Sequence, residues 1–274
     1  MNNVPSLSII FMVIDILCGV LIPLLMLLIF HKKFKASIAV FFIAFAGFFL
    51  FSSILEGGLN SIIYYGDTGV YIVSNPWLNG LIGGLMAAVF EEGGRYIIMR
   101  FILKKYMNND KNALMYGAGH AGCEVMLVLF FSIISYLAIA ILINTGIYSS
   151  IIDNMTDSTL KTQLTHIAIV LSSTDPYNFL LSIWERISAV IFHLSASVLV
   201  WFSVKDKKHA FLFPLAILLH FLLDFITVVL AAKLNNIYLV ETIITLASLL
   251  CVIPAVMVWK KYHKINEEEV KNFA

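Results

Sequence analysis

The stretch WLNGLIGGLMAAVFEEGGRYIIMRFIL, residues 77–103, is long and apolar enough to cross a bilayer, yet Glu91, Glu92 and Arg95 stand near its middle. A hydrocarbon core is spanned by about 20 apolar residues of helix. Six further stretches meet that length: 7–30, 36–64, 112–145, 177–204, 209–232 and 237–259. The composition agrees, with 60% hydrophobic and 13% charged residues, a balance suited to a chain whose main solvent is lipid. The expected fold class is therefore all-α: a polytopic membrane helix bundle of about seven transmembrane helices. The expected location is a bacterial plasma membrane. The second and fourth stretches exceed a minimal crossing and are expected to tilt, kink or extend. The first is too long for a signal-peptide core and has no basic segment before it, so it is expected to be retained.

The net charge of +1 conceals an uneven distribution. Lys32, Lys33 and Lys35 follow the first span, Lys104, Lys105 and Lys111 the third, Lys205, Lys207 and Lys208 the fifth, and Lys260, Lys261, Lys264 and Lys271 the last. The opposite side carries only Lys161 and Lys233. The positive-inside rule places the N-terminus outside and the C-terminus in the cytoplasm. One long outer loop, 146–176, holds Leu160, Leu164, Ile167 and Leu171 at helical spacing after Ser158, which predicts a short surface helix. The tail NEEEVKNFA reads as a solvated end. No repeat or linker divides the chain, so it reads as one membrane-embedded domain over 1–274, with its motif-bearing core at 77–232. No basic patch supports nucleic-acid binding. Cys18, Cys123 and Cys251 lie in apolar runs without metal-type spacing and read as buried fillers.

Ionisable groups at mid-membrane cost about 2.5–3.5 kcal/mol each on insertion scales, so a cluster of them needs pairing, water or a function. Glu91 and Glu92 lie four and three residues before Arg95, within reach on a helix. GAGHAGCE sets His120 four residues before Glu124, WERISAVIFHLSAS aligns Arg186, His193 and Ser197 on one stripe, and LLHFLLD sets His220 four before Asp224. At 1.5 Å rise per residue, Glu91 lies about 18 Å from the cytoplasmic end of its span, His120 about 12 Å, and His193 and His220 about 16 Å. Four alternating helices thus bring two carboxylates and three imidazoles to one level. Small residues in GLIGG, EEGG and GAGHAG let the backbones approach. Glu124 and Asp224 read as partners that orient His120 and His220, and Arg186 as a cation that neutralises one of the two. Asp15, Glu56, Glu185 and Glu241 fall off the common level or near span ends and read as structural or interfacial.

Hydrolysis of a peptide bond inside a membrane needs a confined water, a base and donors for the oxyanion. Glu91 or Glu92 with His120 can hold and deprotonate water, while His193 and His220 can donate to the oxyanion or protonate the leaving amine. This reading needs no cofactor. An alternative uses His120, His193 and His220 with a glutamate to hold Zn²⁺ and activate a bound water, although no HExxH motif is present.

EEGGR, GHAGCE, FHLSAS and HFLLD together resemble the YhfC-like intramembrane peptidases, relatives of the CAAX-prenyl protease and bacteriocin-processing group, over residues 90–225. The larger group carries EExxxR where this chain has EExxR, and HxxxN where it has His220 and Asp224. The resemblance implies a glutamate-dependent intramembrane endopeptidase acting on a membrane-associated or lipidated peptide. It implies Glu91 and His120 at the water, with His193 and His220 on the oxyanion side. Two rival classes remain at this stage: a non-catalytic bacteriocin-immunity or scaffold protein, and a proton-coupled transporter, which also places charges at the midplane but more typically shows broken helices and duplicated halves.

Overall fold

A computed structural model describes residues 2–263. The chain runs through α1 (Ser6–Lys32), α2 (Ile38–Ile63), α3 (Gly66–Ser74), α4 (Pro76–Ile102), α5 (Lys111–Asn144), α6 (Ile147–Asp153), α7 (Ser158–Ser173), α8 (Tyr177–Lys205), α9 (Leu212–Lys233) and α10 (Ile237–Tyr262). Among the described residues no strand is present. Six helices are long and apolar enough to cross a membrane, and α3 with α4 makes a seventh candidate, bent by 109° at the break. The expected all-α membrane bundle is thus the observed fold, and the six or seven candidate spans fall at the expected places. The sequence reading had no helix at α3 or α6. The acidic tail lies outside the described residues.

Local chemistry explains the boundaries. At the break before α4, the Asn75 side chain accepts from the backbone N–H groups of Trp77 and Leu78, with Pro76 in the first turn where its missing N–H costs nothing. The cap of α7 is Asp157, one residue before the expected start, accepting from Thr159 and Leu160. The two over-long spans each contain a π-helical segment, Phe49–Glu56 in α2 and Met126–Ser132 in α5. Such segments insert an extra residue per turn and re-aim side chains, often at functional sites.

The described residues cluster into two compact units. One is built from the chain up to Leu24 with Glu124–Arg186. Its apolar centre gathers Met12, Ile133, Ala140, Tyr148, Leu171 and Phe179. Asn144 clamps Val4 there, accepting from its N–H at 2.7 Å and donating to its carbonyl at 2.9 Å. Buried Asp15 accepts from Ser182 at 3.2 Å.

The other unit comprises Leu25–Cys123 with the chain from Ile187 onward. Its core draws on α2, α4, α5, α8, α9 and α10, with Met99, Met115, Tyr116, Leu199 and Trp201 fully enclosed. Two glycines fix how closely its helices meet. A Cβ on Gly84 of α4 would stand 3.1 Å from the Phe221 carbonyl of α9, and one on Gly119 of α5 only 2.2 Å from the Phe41 carbonyl of α2. Gly119 has no room for a side chain, and at Gly84 the α9 backbone would have to give by a few tenths of an ångström. The small residues noted in the sequence are the contact surfaces through which the polar residues of α4, α5 and α9 come together.

Candidate active site

Within the second unit, four helices deliver one buried carboxylate–imidazole centre. Glu91, Glu92 and Arg95 come from α4, His120 from α5, His193 from α8 and His220 from α9, and all six are buried. The imidazole centroids of His120 and His193 are 4.7 Å apart, and those of His193 and His220 5.6 Å. The edge of Phe48 closes on His120, and Phe192 on His220, each at 4.7–4.8 Å between centroids.

The two adjacent glutamates have different partners. Both oxygens of Glu92 accept from Nη1 of Arg95 at 2.8 Å, and Oε1 also lies 2.9 Å from His220 Nδ1. Both side chains of this ion pair are wholly enclosed. Glu92 is therefore held on two sides, as a counter-charge for Arg95 and an anchor for His220. Glu91 turns the other way: Oε2 lies 3.0 Å from His120 Nε2 and Oε1 accepts from Ser52 at 3.2 Å. Successive helix positions point about 100° apart, so one helix turn can serve two roles with one residue type.

His220 sits between carboxylates. Its Nδ1 faces Glu92, and its Nε2 is 3.4 Å from Asp224 Oδ2 and 4.0 Å from Glu91 Oε2. Asp224 is 34% exposed, unlike the rest of the centre, and so links His220 toward the surface. Arg95 extends Nη2 to within 3.1 Å of His193 Nδ1. The residues expected to support the centre from elsewhere divide: Arg95 and Asp224 are in it, whereas Arg186 pairs with Glu124 and Glu185 inside the first unit.

Ser52 and Glu56 were not foreseen as site residues. Ser52 Oγ lies 3.2 Å from both Glu91 Oε1 and Glu56 Oε2, and Asn60 donates to Glu56 at 3.2 Å. All lie on or just after the π-segment of α2. The spacing Ser52, Glu56, Asn60 at i, i+4, i+8 was the available signal, and Ser52 lies about 21 Å along α2 from its start at Ile38.

Glu91, His120 and His193 each offer a ligand atom within 4.8 Å of the other two, and all are buried. One carboxylate and two imidazoles are the donor set of a catalytic zinc with an open position, so the residues fit a metal. His220 is not in this group: both its ring nitrogens already face carboxylates. One contact differs from what a metal-bound form requires. An Arg95 N–H aimed at His193 Nδ1 either covers the lone pair a metal would take or fixes the ring proton on Nε2. Arg95 must release His193 for that ring to act as a ligand.

Fold and centre together define a membrane-embedded helical protein with a buried glutamate–histidine site. The chain matches the profile of the YhfC intramembrane metalloprotease family over residues 18–244. It is also 34% identical over 218 residues to the uncharacterized membrane protein YhfC of Bacillus subtilis (strain 168), covering 79% of this chain and 83% of that protein. The protein belongs to the YhfC intramembrane metalloprotease family. No solved structure matches it. The family description and the Glu91, His120, His193 group favour a metal, and so do not support the cofactor-free route preferred from sequence.

Proposed function

We propose that this protein is a metal-dependent intramembrane endopeptidase that hydrolyses a peptide bond of a membrane-associated or lipidated substrate. The observation that carries this reading is the convergence of Glu91, His120 and His193 from three helices within 4.8 Å, deep in apolar surroundings. These three would hold Zn²⁺, which supplies a Lewis acid and a water acidified toward neutral pH.

The remaining roles follow from the contacts. His220, with Nδ1 on Glu92 and Nε2 between Asp224 and Glu91, is held as the imidazolium and gives its Nε2 proton to the leaving amine, while Asp224 takes up the proton of the attacking water and passes it back to Nε2. Asp224, on its more exposed side, also stabilises that imidazolium and links it toward the surface. Glu92 fixes the His220 ring from the opposite edge. Arg95, once it leaves His193, has its Nη2 available for the oxyanion while Nη1 stays on Glu92. Ser52, with one hydroxyl proton to give, stands between Glu91 and Glu56 at 3.2 Å from each and holds Glu91 in position when that proton is turned to it.

A second reading rests on the Arg95–His193 contact, which suits a metal-free centre. There Glu91, 3.0 Å from His120, is itself the base for water. The two readings part under a chelator. Purified protein incubated with a fluorogenic transmembrane or lipidated peptide should cleave it, lose activity on chelation and regain it with Zn²⁺. Glu91→Gln and His120→Ala should each lower the rate by about 10²–10⁴-fold. Chelator-resistant cleavage abolished by Glu91→Gln selects the metal-free route. Cleavage that survives Glu91→Gln and His120→Ala removes both.

A further inference from the structure

Polar side chains continue from the glutamate–histidine centre along α2 at every fourth position: Ser52, Glu56, Asn60 and then Tyr64, just past the helix end. Contacts of 3.2 Å link Glu91 to Ser52, Ser52 to Glu56 and Glu56 to Asn60. Farther along, the Tyr64 hydroxyl donates to Asn79 Oδ1 at 3.1 Å. Ser52 with Glu91 and Tyr64 with Asn79 thus tie the same two helices, α2 and α4, twelve positions apart on each and in opposite chain directions. That antiparallel register sets Glu56 level with Ala87 and Asn60 level with Gly83. The row covers about 18 Å. It ends beside the first turn of α4, away from the lysine-rich turns, on the side that the charge distribution assigns to the outer face.

The two helices are not equally close along this row. Inward of Glu91, a Cβ on Gly94 would stand 2.4 Å from the Phe51 ring, whereas a Cβ on Gly83 would meet only the Tyr64 hydroxyl, at 3.5 Å. α2 and α4 therefore close at the inner end and part toward the outer one, where Ala87 and Gly83 carry no side chain large enough to fill the space. Asn60 Oδ1 is enclosed there and has no hydrogen-bond partner among the described residues. A buried amide oxygen of this kind is the mark of a water site. α9 borders the same region. A Cβ on Gly84 would lie 3.4 Å from that of Asp224, and Glu56 is within electrostatic reach of both Asp224 and His220.

Hydrolysis consumes a water for every bond cleaved, and a centre enclosed by apolar helices needs a polar path to replace it. We propose that the crevice between α2 and α4, bordered by Glu56, Asn60, Gly83 and Ala87, carries water from the outer face to the centre, with the Tyr64–Asn79 pair across its outer end. Glu56 and Asn60 supply acceptors and donors for the waters on the way, and Ser52 hands the path to Glu91. The use made of the water rests on the proteolytic reading, whereas the wetness of the crevice does not.

The test uses the full chain in intact cells, with Cys18, Cys123 and Cys251 replaced by Ala and single cysteines placed on α4. Gly83→Cys and Ala87→Cys face the crevice. Leu85→Cys and Val89→Cys lie on the opposite side of the helix, where the native side chains are 49% and 48% exposed, and face lipid. The reacting species is the thiolate, which forms only where water reaches. A membrane-impermeant cationic methanethiosulfonate added outside should therefore modify the first two about 100-fold faster than the second two, the exclusion expected of one charge from lipid. Adding Gly83→Phe should bring the Ala87→Cys rate down to that of the lipid-facing pair. Equal rates at all four positions overturn the proposal, as does modification of Gly83→Cys and Ala87→Cys from the cytoplasmic side alone. An unchanged Ala87→Cys rate beside Gly83→Phe, in a protein of normal melting temperature, also overturns it. Labelling needs no substrate, so a chain that labels as expected and cleaves nothing supports the crevice and counts against the proteolytic reading alone.

Discussion

Arg95→Met removes the cation that Glu92 faces and leaves a carboxylate with no solvent around it. The side chains of both partners are 0% exposed, and the pair is joined by two 2.8 Å contacts from a single nitrogen. Removing one member of a buried pair costs about 3–5 kcal/mol, because the other charge stays buried without compensation. His220 Nδ1 at 2.9 Å remains as a partner for Glu92, which places the expected loss toward the lower end, about 3 kcal/mol. Glu92→Gln strands Arg95 instead and should cost a similar amount. The double variant loses both charges, so its cost should fall short of the sum of the single costs by about 2–3 kcal/mol, a coupling within the range for one network. Equilibrium unfolding of the four proteins in mixed micelles, followed by tryptophan fluorescence, gives the cycle directly. A strictly additive double variant, or an Arg95→Met cost below about 1 kcal/mol, would refute the assignment of Glu92 as the structural member of the doublet.

Three further outcomes follow from the same geometry. Gly119→Ala should destabilise the protein by about 1–3 kcal/mol, the usual cost of overpacking, since its Cβ would meet the Phe41 carbonyl at 2.2 Å; a melting curve in detergent checks it. Asp224→Asn should lower turnover of a cleavable peptide by about 10²–10⁴-fold, as loss of a proton acceptor does, while leaving the melting temperature nearly unchanged. Ser52→Ala should weaken the hold on Glu91 with a smaller loss of turnover than Glu91→Gln, measured in the same assay.

The spans and the level of the centre were legible because hydropathy and rise per residue are local properties of the chain. Depth alone brought Glu91, Glu92, His120, His193 and His220 together before any coordinates. Azimuth was not legible. Glu91 and Glu92 are adjacent in sequence, and only the packed helices show that Glu92 meets His220 and Arg95 while Glu91 meets His120. Ser52 and Glu56 were missed because α2 was read as a regular helix, whereas the π-segment Phe49–Glu56 shifts which side chains face inward. Glu124 shares a helix face with His120 and was expected to orient it, yet its carboxylate pairs with Arg186, 62 positions further along the chain and the cation expected to neutralise it or Asp224. A preference at i, i+4 is worth only about 0.2–0.5 kcal/mol, too little to compete with a half-buried guanidinium.

The central claim is that Glu91, His120 and His193, and not His220, form a metal-binding set. Elemental analysis of protein purified without added chelator tests it across four variants. The native chain and His220→Ala should each retain close to one zinc per chain, whereas Glu91→Ala, His120→Ala and His193→Ala should retain almost none. Zinc lost from His220→Ala but kept in Glu91→Ala would contradict the assignment.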